Sequence, residues 1–119
     1  MPHAVSGPLG SAAVLAAVVL FLSSVRALRI AGTPVPGDRP TTAIVRAGPF
    51  RYSRNPIYLS FSLLHAGVAC WVNSLWLIVT LMPAAALMSF VVIPREERYL
   101  EARFPSEYLP YKAAVRRWL

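Results

Sequence analysis

Apolar positions in this chain fall in long uninterrupted runs, without the short alternations of a soluble domain. Residues 9–25 contain no charged side chain. As a helix these seventeen residues span about 26 Å at ~1.5 Å each. That is close to the ~30 Å hydrocarbon core of a bilayer, and Ala27, Leu28 and Ile30 extend the run. A signal peptide is the rival reading of this segment. Against it, residues 1–8 hold no Lys or Arg, and Arg26 and Arg29 follow the apolar run. A second run, residues 55–94, has forty positions without a formal charge, about 60 Å of helix or two crossings. Asn73-Ser74, flanked by Trp71 and Trp76, divides it. Asn and Ser favour a turn, and Trp prefers the membrane interface. The pattern predicts an all-α polytopic membrane protein forming a single domain over 1–119. Its three transmembrane helices lie at about 9–28, 56–72 and 75–94, joined by a loop over 29–55 and followed by an amphipathic helical tail over 95–119. Pro83 is expected to kink the third helix, and Ala84, Ala85 and Ala86 beside it to permit close helix contact.

Composition sharpens this picture. Of 119 residues, 56% are hydrophobic and 14% charged, against a globular norm of about 25% charged. A disordered chain is excluded and a water-soluble domain disfavoured. The lone Cys70 excludes an intrachain disulfide framework, and it and the widely separated His3 and His65 offer no metal cluster. The net charge of +7 belongs to two segments. Arg26, Arg29, Arg39, Arg46, Arg51 and Arg54, opposed only by Asp38, lie between the first two helices. Arg95, Arg98, Arg103, Lys112, Arg116 and Arg117 lie in the tail. Three crossings put both segments on one side, which the positive-inside rule makes cytoplasmic, with the N-terminus outside. The excess therefore points to a membrane face and not to nucleic acid. The preponderance of Arg over Lys is compatible with a GC-rich bacterial source and hence the bacterial plasma membrane.

Chemistry concentrates in the two basic segments. The breaker-rich stretch 32–40 predicts an irregular loop. After it, Ile44, Val45, Phe50 and Tyr52 are expected to pack at the interface. Asn55-Pro56 reads as a helix start, Asn as the cap and Pro in the first turn. Its free N–H groups lie beside Arg51 and Arg54, an anion site or an anchor for lipid phosphates. In the tail, Glu96, Leu100 and Phe104 recur at helical spacing, Pro105 ends the helix, and Ser106 is expected to cap another piece. There Tyr108, Tyr111, Val115 and Trp118 share a face. Glu96 and Glu97 are either solvated first-turn acids or acceptors for a cationic or hydroxyl-bearing ligand. Successive helix positions point about 100° apart, so their roles need not coincide. His65 is expected to be hydrogen-bonded inside the bundle. No Gly-x-Gly-x-x-Gly or phosphate-binding loop is present.

Gly48-Pro49-Phe50-Arg51-Tyr52-Ser53-Arg54-Asn55-Pro56-Ile57-Tyr58, a hairpin of about forty residues, Glu96-Glu97-Arg98-Tyr99-Leu100 and Phe104-Pro105-Ser106-Glu107-Tyr108-Leu109-Pro110-Tyr111 together resemble the integral-membrane methyltransferases. That group includes isoprenylcysteine carboxyl methyltransferase and the phospholipid methyltransferases. The likeness covers roughly 45–117. It implies S-adenosylmethionine as cofactor and a lipophilic methyl acceptor entering from the lipid bilayer. It further implies cofactor contacts from Arg54, Asn55, Pro56, Tyr58, Glu96, Tyr108 and Tyr111, and catalytic roles for Glu97 and Arg54, with no metal. Asn55 stands where His is common, Ser60 and Pro105 where Gly is. With one helix before the core, the acceptor-binding part is reduced or supplied by a second copy in a homodimer. A nicotinamide-dependent (NADPH) membrane reductase of related architecture and a non-catalytic protein binding lipid or a partner through its basic face are the alternatives.

Overall fold

The computed structural model describes residues 2–35 and 41–119. The breaker-rich stretch therefore falls partly outside the described residues, with Asp38 and Arg39. All regular structure among the described residues is helical. Helix α1 covers His3–Ile30, α2 Pro56–Trp71 and α3 Leu75–Leu87. A π turn over Met88–Val92 joins α3 to α4, Ile93–Arg103, and α5 covers Pro105–Ala114. The stretches Ala4–Ile30 and Leu75–Arg103 are long and apolar enough to cross a membrane, whereas Pro56–Trp71 is a shorter apolar helix. The first helix thus begins six residues before the expected position 9. The third runs unbroken past Pro94 into the tail.

Helices α1 and α2 pack tightly because small residues line their contact. Ser6, Ala17 and Ser24 on α1 and Ser60 on α2 are buried. Gly10 and Gly67 let the two backbones meet. A Cβ on Gly10 would lie 2.8 Å from the Gly67 carbonyl oxygen and 2.9 Å from the Trp71 nitrogen. A Cβ on Gly67 would lie 2.7 Å from Val14 Cγ2. Lipid tails are as apolar as Leu, so close van der Waals contact has to hold such a pair together. Trp71 Nε1 adds a hydrogen bond to Ser11 Oγ at 2.9 Å. The lipid-compatible surface lies outside this contact: Leu15, Leu22, Trp76, Met82 and Phe90 are all exposed.

The turn after α2 is closed by Asn73 in the left-handed region (φ 50°) and by Ser74, whose side chain accepts from Leu77 N as the α3 cap. His65 bridges the hairpin, as expected, with Nε2 2.7 Å from Leu77 O and 3.1 Å from Thr80 Oγ1. Pro83 lies inside α3 without ending it; the irregularity comes later, at Met88–Val92. Its position follows from Pro94. A Pro ring collides with the carbonyl four residues back, and opening the helix to a wider turn relieves this. The Ile93 N–H consequently bonds to Met88 O, a five-residue step. Ser89 O would take its matching bond from residue 94, which is Pro and has no N–H.

Two capping expectations are corrected. Asn55 occupies the N-cap of α2 but its side chain makes no cap hydrogen bond; Nδ2 donates instead to Arg117 O at 2.9 Å. Helix α5 begins at Pro105 with Phe104 as N-cap, so Ser106 lies within the helix and does not cap it. Pro at the first position already supplies a residue with no N–H to satisfy.

The core sits at the end of the bundle where α1 finishes and α2 begins. Ala27, Leu28, Val45, Phe50, Ile57, Tyr108 and Tyr111 form one buried cluster. Of the four residues expected at the interface, Val45 and Phe50 are in this core and Ile44 packs against it, but Tyr52 is exposed. The core folds the loop, the start of α2 and the tail into one unit, and the site is built on it.

Candidate functional site

Three segments that are remote in sequence meet at the start of α2. A 3-10 turn, Gly48–Arg51, delivers the chain to it, with Gly48 at φ 58°. The Tyr111 hydroxyl clamps this turn, lying 2.7 Å from Phe50 O and 3.2 Å from Ser53 O. Burial pushes the Tyr111 phenol well above its usual range, so it stays protonated. Arg46 reinforces the same corner, its guanidinium 5.7 Å from the Tyr111 ring centre and Nη2 2.6 Å from Glu107 O.

Beyond the turn, Arg54 reaches across to α4. Its Nη1 donates to Glu97 Oε2 at 2.7 Å and to Tyr108 Oη at 3.0 Å. Glu97 is also held by Arg117, whose Nη2 lies 2.7 Å from Oε1 and whose Nε lies 3.2 Å from Oε2. Both side chains of the Arg54–Glu97 pair are about nine-tenths buried, at 10% and 11% exposure. One turn along α2, the Tyr58 hydroxyl donates to Glu96 Oε1. The two glutamates therefore diverge, as the 100° step requires: Glu97 meets the arginines and Glu96 meets Tyr58.

These residues line one cleft. Its walls include Leu28, Ile44, Val45, Phe50 and Leu100, and its polar groups come from Arg54, Asn55, Tyr58, Glu96, Glu97 and Tyr108. The cleft is open to one side, and its empty space comes to about 610 Å³ when the solvent in its mouth is counted. Arg54 Nε is buried and has no hydrogen-bond partner among the described residues. A buried unsatisfied donor costs about 1–3 kcal/mol, more on a charged group, and marks a place where an acceptor is wanted. Burial raises the Tyr108 phenol too, against the opposing pull of Arg54, so Tyr108 stays neutral beside the guanidinium.

The structure gathers Arg54, Asn55, Pro56, Tyr58, Glu96, Glu97 and Tyr108 around the cleft. Tyr111 stands behind it, serving the turn. Arg51 is exposed on the 3-10 turn, away from the lining. The sequence pattern marks Arg117 only as one of the charges that set topology, yet the fold brings it to the site. Besides gripping Glu97, it donates from Nη1 to Ser89 O at 3.2 Å, the carbonyl that the π turn leaves over. The segment after α5, a strap over 115–119, also serves the α2 start through its backbone carbonyls: Arg54 N donates to Arg116 O at 2.9 Å, and Ser53 Oγ to Arg117 O at 3.4 Å. The one signal was indirect. Pro94 implied an unpaired carbonyl upstream, and an Arg is a fitting donor for it.

A 65-residue stretch, 53% of this chain, is 43% identical to an uncharacterized protein of Haemophilus influenzae and covers 100% of that protein. No solved structure matches. The phospholipid methyltransferase family model matches residues 5–107, from the first turn of α1 into α5, and so takes in every cleft residue except Tyr108. The chain thus belongs to the phospholipid methyltransferase family, a family of membrane methyltransferases.

Proposed function

We propose that this protein transfers a methyl group from S-adenosylmethionine to a lipophilic acceptor at the cytoplasmic face of a bacterial plasma membrane. The observation that carries the reading is Arg54. A buried guanidinium with an unpartnered Nε lines a cleft that also offers the Glu96 carboxylate. The residues present fit the cofactor. Its carboxylate suits Arg54, its ammonium or ribose hydroxyls suit Glu96, and the apolar walls suit a flat base. When bound, S-adenosylmethionine supplies an electrophilic methyl on a positively charged sulfur.

The chain's own part is largely positioning. Tyr58 holds Glu96 in place, and the core beneath the cleft excludes water, which favours an aligned donor and acceptor. Glu97 takes a positioning role in this reading and not that of a proton acceptor, because both its oxygens already accept from guanidinium groups. Membrane placement follows the three-crossing scheme. Helix α2 is the short span, the N-terminus is outside, and the loop and tail are cytoplasmic. The acceptor enters from the bilayer, and a homodimer is compatible with the exposed face of α3.

Arg54→Ala and Glu96→Gln test the assignment. Each removes a charge-assisted hydrogen bond worth about 1.5–3 kcal/mol. S-adenosylmethionine affinity, read by isothermal titration of the detergent-purified protein, is expected to fall about tenfold to a hundredfold in each. Wild-type affinity in both folded variants would place the cofactor elsewhere.

A further inference from the structure

Arg117 and Arg54 grip the same carboxylate in different ways, and the difference has a consequence for binding. Arg117 lies side-on, with Nη2 2.7 Å from Oε1 and Nε 3.2 Å from Oε2, so it covers both oxygens of Glu97. Arg54 meets Glu97 end-on, through Nη1 alone, 2.7 Å from Oε2. A guanidinium frequently chelates a carboxylate through two parallel bonds, and Arg54 makes only one to Glu97. Two guanidinium charges share one carboxylate, so the group of three has a formal charge of +1. The surplus is located by the buried Nε of Arg54, which has no partner among the described residues.

We propose that Arg117 is a positioning residue that keeps Glu97 from chelating Arg54, and thereby keeps Arg54 free to take the carboxylate of the bound cofactor. Arg117 is itself fixed on three sides. Its side chain also donates to Ser89 O at 3.2 Å, and its carbonyl accepts from Asn55 Nδ2 at 2.9 Å and Ser53 Oγ at 3.4 Å. It lies ten residues beyond the stretch matched by the family model. The proposal rests on the reading of the cleft as the cofactor site.

The sign of one double variant separates this role from a merely structural one. Arg117→Met keeps the bulk and removes every donor. Glu97 is then free to turn and chelate Arg54, and the surplus charge vanishes. By the value of a charge-assisted hydrogen bond, S-adenosylmethionine affinity is expected to fall about tenfold to a hundredfold. Adding Glu97→Gln removes the competitor, so the Glu97→Gln/Arg117→Met protein should bind more tightly than Arg117→Met alone. A structural role requires the opposite order, since the double variant loses more bonds. Decarboxylated S-adenosylmethionine gives a second reading: its affinity should be alike in wild type and Arg117→Met. A double variant weaker than the single one, or an equal loss with the decarboxylated compound, overturns the proposal. Arg117→Lys, folded and holding Glu97 through a single point contact, should fall between wild type and Arg117→Met.

If wild type binds neither compound, the methyltransferase reading fails, and the Nη2–H proton resonance of Arg54, the second arm of a chelate closed from Nη1, decides the role of Arg117 in 15N-arginine-labelled protein. A downfield shift in Arg117→Met, reversed in the double variant, supports chelation. An unmoved resonance overturns it.

Discussion

Glu97→Ala is expected to be among the most damaging single substitutions in the chain, costing about 3–5 kcal/mol of stability. The carboxylate is buried between Arg54 and Arg117, and its removal leaves two guanidinium groups facing each other with no counter-charge. Taking away one partner of a buried pair costs far more than the net worth of the pair, because the remaining charge stays desolvated. Glu97 also joins three segments: α4 carries it, Arg54 precedes α2, and Arg117 follows α5. The loss should therefore loosen the strap as well as the cleft. Thermal unfolding in detergent, followed by circular dichroism, checks this. Glu97→Gln keeps an oxygen acceptor and should cost clearly less. Melting of Glu97→Ala at the wild-type temperature would show that the pair holds nothing together.

The second large effect lies at the other end of the bundle. Gly10→Ala is expected to destabilise the protein although Ala is the better helix former by about 1 kcal/mol. The new methyl would sit 2.4 Å from Trp71 Cδ1, 2.8 Å from Gly67 O and 2.9 Å from Trp71 N. The two backbone atoms cannot move aside without parting the helices. Overpacking of this kind costs about 1–3 kcal/mol, which outweighs the propensity gain. Gly10→Val should be worse still. Gly7, on the same helix, supplies the control, because a Cβ there would meet nothing within 4 Å. Gly7→Ala should therefore be neutral or stabilising in the same unfolding assay. Equal behaviour of the two alanine variants would remove the close crossing from the explanation.

How much of this was legible in the sequence differs by scale. Uncharged runs placed the apolar helices, because the absence of charge over a bilayer's width is a one-dimensional signal. The spacing of Arg54, Tyr58 and the Glu96-Glu97 pair, taken with the resemblance, pointed to the residues that the fold brings to one cleft. Boundaries were harder. Residues 3–8 hold no helix-favouring apolar period, yet α1 begins at His3, and α4 continues α3 because a π turn absorbs Pro94. Cap chemistry misled at Asn55 and Ser106, where a tertiary partner, the Arg117 carbonyl, and a Pro at the first helical position overrode local preference. Arg117 itself was invisible as a site residue. Its four partners, Glu97, Ser89, Asn55 and Ser53, lie far back in the chain, and nothing local distinguishes it from Arg116.

Equilibrium titration of the detergent-purified wild-type protein with S-adenosylmethionine and, separately, with NADPH tests the central claim most directly. The expected result is saturable binding of S-adenosylmethionine, displaced by S-adenosylhomocysteine, which keeps the carboxylate and ammonium that Arg54 and Glu96 would hold. NADPH should show no saturable binding. Saturable NADPH binding with none of S-adenosylmethionine would contradict the methyltransferase reading and turn the same cleft into the site of a reductase.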